Sequence, residues 1–553
     1  MVRRLCWVVV MLVAANAVAQ VSFHTTVAAP DGTALATEVY LPAPIGSWPV
    51  ILQRTPYGRD GLRDACLVFN LLGYACVAQD TRGRFGSQGQ DTAFRDDGPD
   101  GRATVTWVAS QSWCNGRVGT FGGSALGITQ YALAPGAPRA LLCLMPLVAT
   151  ADFYHHAAFQ GGALREALVH NWLAGQGNLP AYEEIRAHRL WDEWWSEAAI
   201  LPHVGDAHAA GLHIGGWYDI FSQGTIDAFA ALQHRGGDGA QGAQYLVMGP
   251  WTHGGVGGRQ AGELTYPANA VLDLVDLLVS WFGHWLKRSD SGVEEWPVVR
   301  VYLMGAVGES GAPGNAWLSM ADWPPPSRDT ALFLAAPAQL TAALPSAGEV
   351  GLDIDPTSPV PTLGGAELYP DLEVDGRPMG AGPYDQRPIE ARADVLEFTS
   401  ERLSTPLVVM GRLRAQVWVR PDTVDLDLAV RLTDVYPDGR SMLVADGVQR
   451  ARSRCGDDRE CLVIPGEPVE LVVDLWSTAM AFNAGHRLRL TVSGSNTPRF
   501  EVNPNDGTLP PGGGAAVAHP VILVGGETPS RLVLPVASGV GWPRRRLPPP
   551  GSP

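Results

Sequence analysis

Near residue 297 the apolar pattern of this 553-residue chain changes period, and no other feature constrains its architecture as strongly. Before that point short apolar runs alternate with amphipathic stretches. Strands are expected in 21–60, including 50–53, and at 74–79, 118–122 and 141–144, with helices over 62–72, 103–110 and 126–134. After an interruption the rhythm resumes with strands at 212–215 and 245–249 and a long helix over 272–287. Buried strands alternating with helices require a layered α/β fold. Beyond 297 the helical pattern disappears. Strand-like runs at 298–304, 395–399, 407–419, 426–434, 469–474 and 487–493 are separated by turns such as Pro437-Asp438-Gly439, as in a β-sandwich. Residues 150–200, with Trp172, Trp191, Trp194 and Trp195 in largely helical sequence, read as an inserted helical cap, and 324–390, rich in proline and glycine, as a long connection.

Composition narrows the class. Sixty-four glycines and 44 prolines follow no G-x-y period, which excludes collagen and fits long loops between many short elements. A hydrophobic share of 46% against 17% charged residues describes a globular chain. Fifty-six acidic against 40 basic side chains give a formal charge of −16, and a nucleic-acid footprint needs a basic face instead.

The first twenty residues, MVRRLCWVVVMLVAANAVAQ, combine Arg3 and Arg4, a short apolar run and an A-x-A site at 17–19. This is the layout of a signal peptide over 1–19 with the mature chain starting at Gln20. The apolar run is shorter than the ~20 residues of a spanning helix. The expectation is an exported protein, periplasmic or secreted, with no membrane attachment after cleavage. Cys455 and Cys461 flank a short polar run and suit a disulfide in an oxidising compartment. Cys66, Cys76, Cys114 and Cys143 lie among apolar residues, as buried thiols or as further bridges. Residues 541–553 form a basic, proline-rich tail.

The sharpest chemical signal is Val118-Gly119-Thr120-Phe121-Gly122-Gly123-Ser124-Ala125-Leu126-Gly127. A strand entering Gly-Gly-Ser and then a helix is how a nucleophile elbow is built. The turn is tight enough to demand small neighbours and leaves the hydroxyl at a helix N-terminus, beside free N–H groups. The usual second glycine at +2 is replaced by Leu126, and a glycine follows at +3. Two further strand ends supply partners in the order Ser, Asp, His: Gly215-Gly216-Trp217-Tyr218-Asp219 and Gly249-Pro250-Trp251-Thr252-His253. An imidazole removes the serine proton, and a carboxylate fixes its tautomer and stabilises its charged form. Asp80, in Asp80-Thr81-Arg82-Gly83, precedes the elbow and is out of order. It reads as structural, with Arg82 ordering loops through a bidentate carboxylate bond.

These segments, with Asp31-Gly32, Arg54-Thr55-Pro56-Tyr57, Gly73-Tyr74 and Asp80 to Arg84, resemble the bacterial cocaine-esterase-like serine hydrolases of the X-Pro dipeptidyl-peptidase (S15) family, over roughly residues 22–500. The resemblance implies an α/β-hydrolase domain in two parts, 20–149 and 201–296, a helical cap over 150–200, and a C-terminal jelly-roll domain with its linker over 297–540. It carries the nucleophile to Ser124, the acid to Asp219 and the base to His253. It also carries an oxyanion hole to the Tyr57 hydroxyl and the Ala125 backbone N–H, although Tyr57 would also serve as an ordinary buried tyrosine. Ala125 stands where the family often has tyrosine. Gly127 stands where amino-ester hydrolases carry a carboxylate for the substrate ammonium, which argues against an α-amino acyl preference unless another carboxylate such as Asp152 substitutes. The cap tryptophans suit either an aromatic acyl pocket or a small helical core.

The implied function is hydrolysis of small-molecule carboxylic esters or acyl amides through an acyl-enzyme. An X-Pro dipeptidyl-peptidase and a non-catalytic surface- or carbohydrate-binding protein are the alternatives. No cofactor or metal is implied. There is no HExxH and no phosphate-binding glycine loop, and His155-His156 are too close in sequence to share a metal comfortably.

Overall fold

The computed structural model describes residues 21–509 and 514–537. The signal-peptide and tail readings, 1–19 with Gln20 and 541–553, lie outside these described residues.

In the N-terminal half a ten-strand arrangement forms one mixed sheet. Across it run Val21–Ala28, Ala34–Leu41, Ala75–Asp80, Trp48–Thr55, Cys114–Gly123, Leu141–Leu147, Ala210–Tyr218, Gln244–Thr252, Val299–Gly305 and Ala316–Met320. Pairing is antiparallel at the two margins and parallel from Ala75–Asp80 through Val299–Gly305. Helices cover both faces, which explains why the strands read as continuous apolar runs. Val50 and Leu52 face the helices Asp97–Ser110 and Ala125–Leu133, while Ile51 between them faces Arg63–Leu71 and Leu274–Phe282. This is the α/β-hydrolase arrangement the sequence implies. The helix expected over 272–287 is regular only over Leu274–Phe282 and widens into a π turn over Gly283–Lys287.

The cap is an aromatic unit. The helices Glu166–Gly175 and Leu179–Ala187 pack with a short turn at Glu193–Ser196 around Tyr154, Phe159, Leu173, Ile185 and Trp195. A two-stranded ribbon, Phe159–Gln160 with Ala163–Leu164, accompanies the helices.

The C-terminal half is a β-sandwich. Leu407–Arg420 pairs antiparallel with Val469–Phe482 and with Arg531–Ala537, and Asp427–Val435 lies between Ser441–Arg450 and Arg487–Ser493. Inward-facing Leu413, Ala415, Val417 and Val419 alternate with partly exposed Arg414, Gln416 and Trp418, the period-2 pattern of a half-buried strand. The stretch 324–390 is not a simple connection: within Ser327–Ala335, residues 327–333 pair with Arg531–Ala537, and Gly348–Gly351 pairs with Val521–Val524. The strand Val299–Gly305 belongs to both halves. Its first residues pair with Gln244–Thr252 and its last two with Met480 and Ala481, so the two sheets meet without a free edge between them.

Candidate active site

The strand Cys114–Gly123 ends at Ser124, whose backbone takes φ 58° and ψ −126°. A non-glycine residue held there is strained, and the surroundings must impose it. The Ser124 N–H donates to the Leu147 carbonyl at 2.9 Å, tying the turn to the neighbouring strand. A side chain at Gly122 would bring its Cβ to 2.5 Å from Leu126 Cβ, and at Gly127 to 2.5 Å from Ala149 Cβ. The glycine at +3 therefore has a packing reason: the helix Ala125–Leu133 could not approach Leu147 and Ala149 with anything larger. Ala125 is the first residue of that helix, so its N–H has no intrahelical acceptor.

Two other strand ends converge on this turn. Asp219 follows Ala210–Tyr218 and is fully buried. One carboxylate oxygen accepts the Phe221 N–H at 3.0 Å and the other meets His253 Nδ1 at 2.6 Å. His253 follows Gln244–Thr252, and its Nε2 lies 2.9 Å from Ser124 Oγ. With Nδ1–H donated to a carboxylate, Nε2 is left as the acceptor for the serine hydroxyl, which fixes the tautomer from the network. Phe221 packs edge-on against the imidazole at 5.7 Å.

Tyr57 leaves the end of Trp48–Thr55, a strand end anchored by the buried Arg54. That guanidinium donates to Gln79 at 2.8 Å and pairs with Asp97 at 2.8 Å. Tyr57 as a whole residue is 43% exposed, at the mouth of the site, while its hydroxyl end is desolvated. Its oxygen accepts the indole N–H of Trp172 at 2.9 Å, which leaves its own proton to donate, and the phenol interacts with Ser124. Desolvation raises its pKa above the ordinary value, so the hydroxyl stays protonated and remains a donor at neutral pH. Sequence reading does not single out the Trp172–Tyr57 contact, because 115 residues separate the two.

The remaining candidates are accounted for. Asp80 is buried and accepts from the N–H of Arg59 at 2.6 Å and of Gly86 at 3.1 Å, a loop-ordering role. Arg82 makes two bonds to Asp100, at 3.0 and 2.7 Å, and two to Asp31, at 2.6 and 3.2 Å. Asp152 is engaged by His155 Nδ1 at 2.7 Å. The cap tryptophans divide: Trp195 is buried in the cap core, and Trp172 lines the pocket at Ser124. Cys455 and Cys461 are bridged, Cys66 and Cys76 form a second bridge, and Cys114 and Cys143 are buried free thiols. Among the described residues no group of three or more His, Cys, Asp or Glu side chains is arranged to hold a metal.

The pocket at Ser124 and Ala125 is apolar, lined by Phe94, Ile128, Phe153, Leu168, Trp172, Phe221 and Leu368. Phe94 and Leu368 carry no sequence signal, since both lie in irregular segments. Leu368 comes from the stretch read as a connection.

Comparison with known proteins gives this geometry a lineage. Residues 31–183 and 174–255 match the model of the X-Pro dipeptidyl-peptidase (S15) family, and 291–533 match that of the X-Pro dipeptidyl-peptidase C-terminal non-catalytic domain. Cocaine esterase from Rhodococcus sp. (strain MB1 Bresler) is 30% identical, over 92% of this chain and 96% of its own. The chain belongs to this family. Within it, a solved α-amino acid ester hydrolase superposes with a TM-score of 0.80 at 25% identity, covering 95% of this chain and 98% of its own. An aminopeptidase from a marine sediment archaeon, Thaumarchaeota archaeon, shares the fold with a TM-score of 0.79 at 23% identity, over 94% and 97% of the two chains. Like its S15 relatives, the protein is a serine hydrolase acting on esters or amides, and its substrate is a small molecule.

Proposed function

We propose that the protein hydrolyses carboxylic esters with a neutral, apolar acyl group, with Ser124 as nucleophile, His253 as general base and Asp219 as the acid that orients it. The observation that carries this reading is the unbroken hydrogen-bonded chain from Asp219 through His253 to Ser124, ending at a helix N-terminus. His253 Nε2 takes the hydroxyl proton as Oγ attacks the carbonyl carbon. The developing oxyanion is held by the Ala125 N–H and the Tyr57 O–H. Collapse returns the proton from His253 to the leaving alkoxide and leaves an acyl-serine, which water cleaves by the same sequence.

The acyl preference follows from the pocket. Its walls are aromatic and aliphatic. Gly127 offers no carboxylate, packing forbids one there, and Asp152 is committed to His155. A substrate ammonium would be desolvated without a partner, which is costly. This disfavours α-amino acyl groups, including the free amino terminus an X-Pro peptidase must hold. Export belongs to the same proposal: the amino-terminal signature and two intrachain disulfides both suit an oxidising compartment.

The deciding experiment is covalent labelling by a fluorophosphonate. Wild-type protein is expected to label on Ser124 and the Ser124→Ala variant to stay unlabelled with an unchanged melting curve. Undiminished labelling of a folded Ser124→Ala variant would refute the assignment.

A further inference from the structure

The pocket that touches Ser124 is too small for the aromatic acyl groups its walls would suit. Its free volume is about 30 Å³. That is room for a water molecule or so, whereas a cavity that binds benzene measures on the order of 150 Å³. A second, partly open chamber of about 230 Å³ lies immediately beyond, between the cap and the hydrolase domain. Its walls include Trp191, Trp194, Trp195 and Ala199, with Asp152 and His155 at its polar margin. The two spaces share three lining residues, Phe94, Ile128 and Phe153. A larger apolar cavity, about 340 Å³ beside Tyr57 and Leu126, shares no lining residue with the Ser124 pocket.

Two of the three shared residues are aromatic rings in contact. Phe94 and Phe153 meet at 5.5 Å with a 54° tilt. On its other side Phe94 stacks on Trp172 at 5.4 Å, and Phe153 stacks on Trp195 at 6.3 Å. Phe94 therefore stands between the residue that bonds the Tyr57 hydroxyl and the chamber beyond. Its backbone is held unfavourably. Ala93 and Phe94 lie consecutively at φ 49° and 76°, left-handed conformations that residues with a Cβ rarely adopt. Asp91 Oδ1 holds the Ala93 N–H at 3.1 Å, and Thr92 Oγ1 bonds Asp96 Oδ2 at 2.9 Å, so the turn is fixed at both ends and strained in the middle. Strained backbone of this kind persists only where its surroundings impose it, and it clusters at ligand clamps.

We propose that Phe94 and Phe153 form a movable partition, and that the chamber behind it receives the distal part of an extended acyl group. The substrate class is esters of ω-arylalkanoic acids, whose chain passes the partition and whose ring packs among the cap tryptophans. This rests on the serine-esterase reading above and specifies its acyl side. Phe94 and Phe153 are specificity residues: they decide how long an acyl group can be.

The test compares kcat/KM for p-nitrophenyl acetate, benzoate, phenylbutanoate and phenylhexanoate, read as the ratio of phenylhexanoate to acetate. Phe94→Ala opens the partition and is expected to raise that ratio about tenfold or more, the discrimination a few buried methylenes supply. Ala199→Phe fills the chamber and is expected to lower it by a similar factor. A ratio within about twofold of wild type in Phe94→Ala overturns the proposal, provided the variant still labels with fluorophosphonate. If Ala199→Phe does not fold, Phe94→Ala decides alone. Failure of the underlying reading looks different: wild-type protein would neither label on Ser124 nor turn over any of the four esters, and this proposal would fall with it.

Discussion

Tyr57→Phe isolates one hydrogen bond. The substitution keeps the ring and removes the hydroxyl that the proposed mechanism directs at the oxyanion. Two groups lose a partner. The oxyanion loses one of two donors, which typically costs ~10²–10³ in kcat, or roughly 3–4 kcal/mol of transition-state stabilisation. The Trp172 indole loses its acceptor, which lay at 2.9 Å. A donor left unsatisfied in the interior costs ~1–3 kcal/mol. Here the Trp172 side chain that loses its acceptor is only half-buried, so water can replace the lost hydroxyl and the stability cost falls to a small part of that. The two effects therefore separate. kcat and kcat/KM should fall together by about 10²–10³ with KM nearly constant, since the interaction is made only in the transition state. The melting temperature should barely move. Steady-state kinetics on the best ester beside a thermal melt reads both. A fall in kcat of less than about threefold, with chemistry limiting turnover, refutes the oxyanion role. A lowered melting temperature with normal turnover of the folded fraction would make Tyr57 a packing residue instead.

Asp219→Asn should leave the fold intact and lower kcat by on the order of 10⁴, because an amide no longer enforces the Nδ1–H tautomer; kcat within about tenfold of wild type would exclude Asp219 as the orienting acid. The two disulfides should differ in access: Cys66 and Cys76 are fully buried and Cys455 and Cys461 only partly so, so mild reduction and alkylation of native protein should tag the latter pair alone, as read by peptide mapping. His155 lies between Asp152 at 2.7 Å and Asp457 at 3.0 Å. Burial alone would lower its pKa, but the bonds to these two carboxylates outweigh it and raise the value to about 10. A raised histidine stabilises fully below its unfolded pKa, so the melting-temperature gap between wild type and His155→Ala should be constant up to about pH 6.5 and close as pH rises toward 10. A gap that widens with pH would contradict the assignment.

What could be read from the sequence was whatever depends on local order. The elbow is contiguous, its partners sit at strand ends in a fixed order, and strands buried on both faces announce themselves as apolar runs. What could not be read depends on distant pairing. Ser441–Arg450 is a ten-residue strand that carries Asp446 and Arg450 inward, where Arg499 and Asp427 neutralise them, so its pattern looks polar. Val469–Phe482 continues eight residues past Asp474, the point at which a register shift against Arg412 and Arg414 interrupts the alternation. Glycine and proline in 324–390 suggest a linker, yet strands there complete the sandwich and Leu368 reaches the Ser124 pocket. Phe94 is a loop residue like any other until the fold sets it between two chambers.

The same distant pairing explains why three parts of the chain act as one site. Behind the acid loop lies Arg165 of the cap, fully buried, which donates to the carbonyls of His156 and Ile220 and sits 5.2 Å from the Trp476 ring of the sandwich. Burial lowers its pKa to about 9 and raises that of Glu367, from the C-terminal half, to about 7. Arg499 pairs with Glu367 at 3.3 Å and Asp446 at 2.5 Å, and these two carboxylates offset the like charge it presents to Arg165. None of these groups would be stable in an apolar interior alone, because a buried charge without partners costs far more than its pairing returns. The carboxylates of the sandwich face Arg499 and the cap's Arg165 only when cap, hydrolase sheet and sandwich are docked. Ile220 is the residue after Asp219, so the bond from Arg165 to the Ile220 carbonyl also holds the loop that aims the carboxylate at His253. A C-terminal domain that supplies no residue to the proposed hydrogen-bonded chain is in this way part of what holds its acid in place.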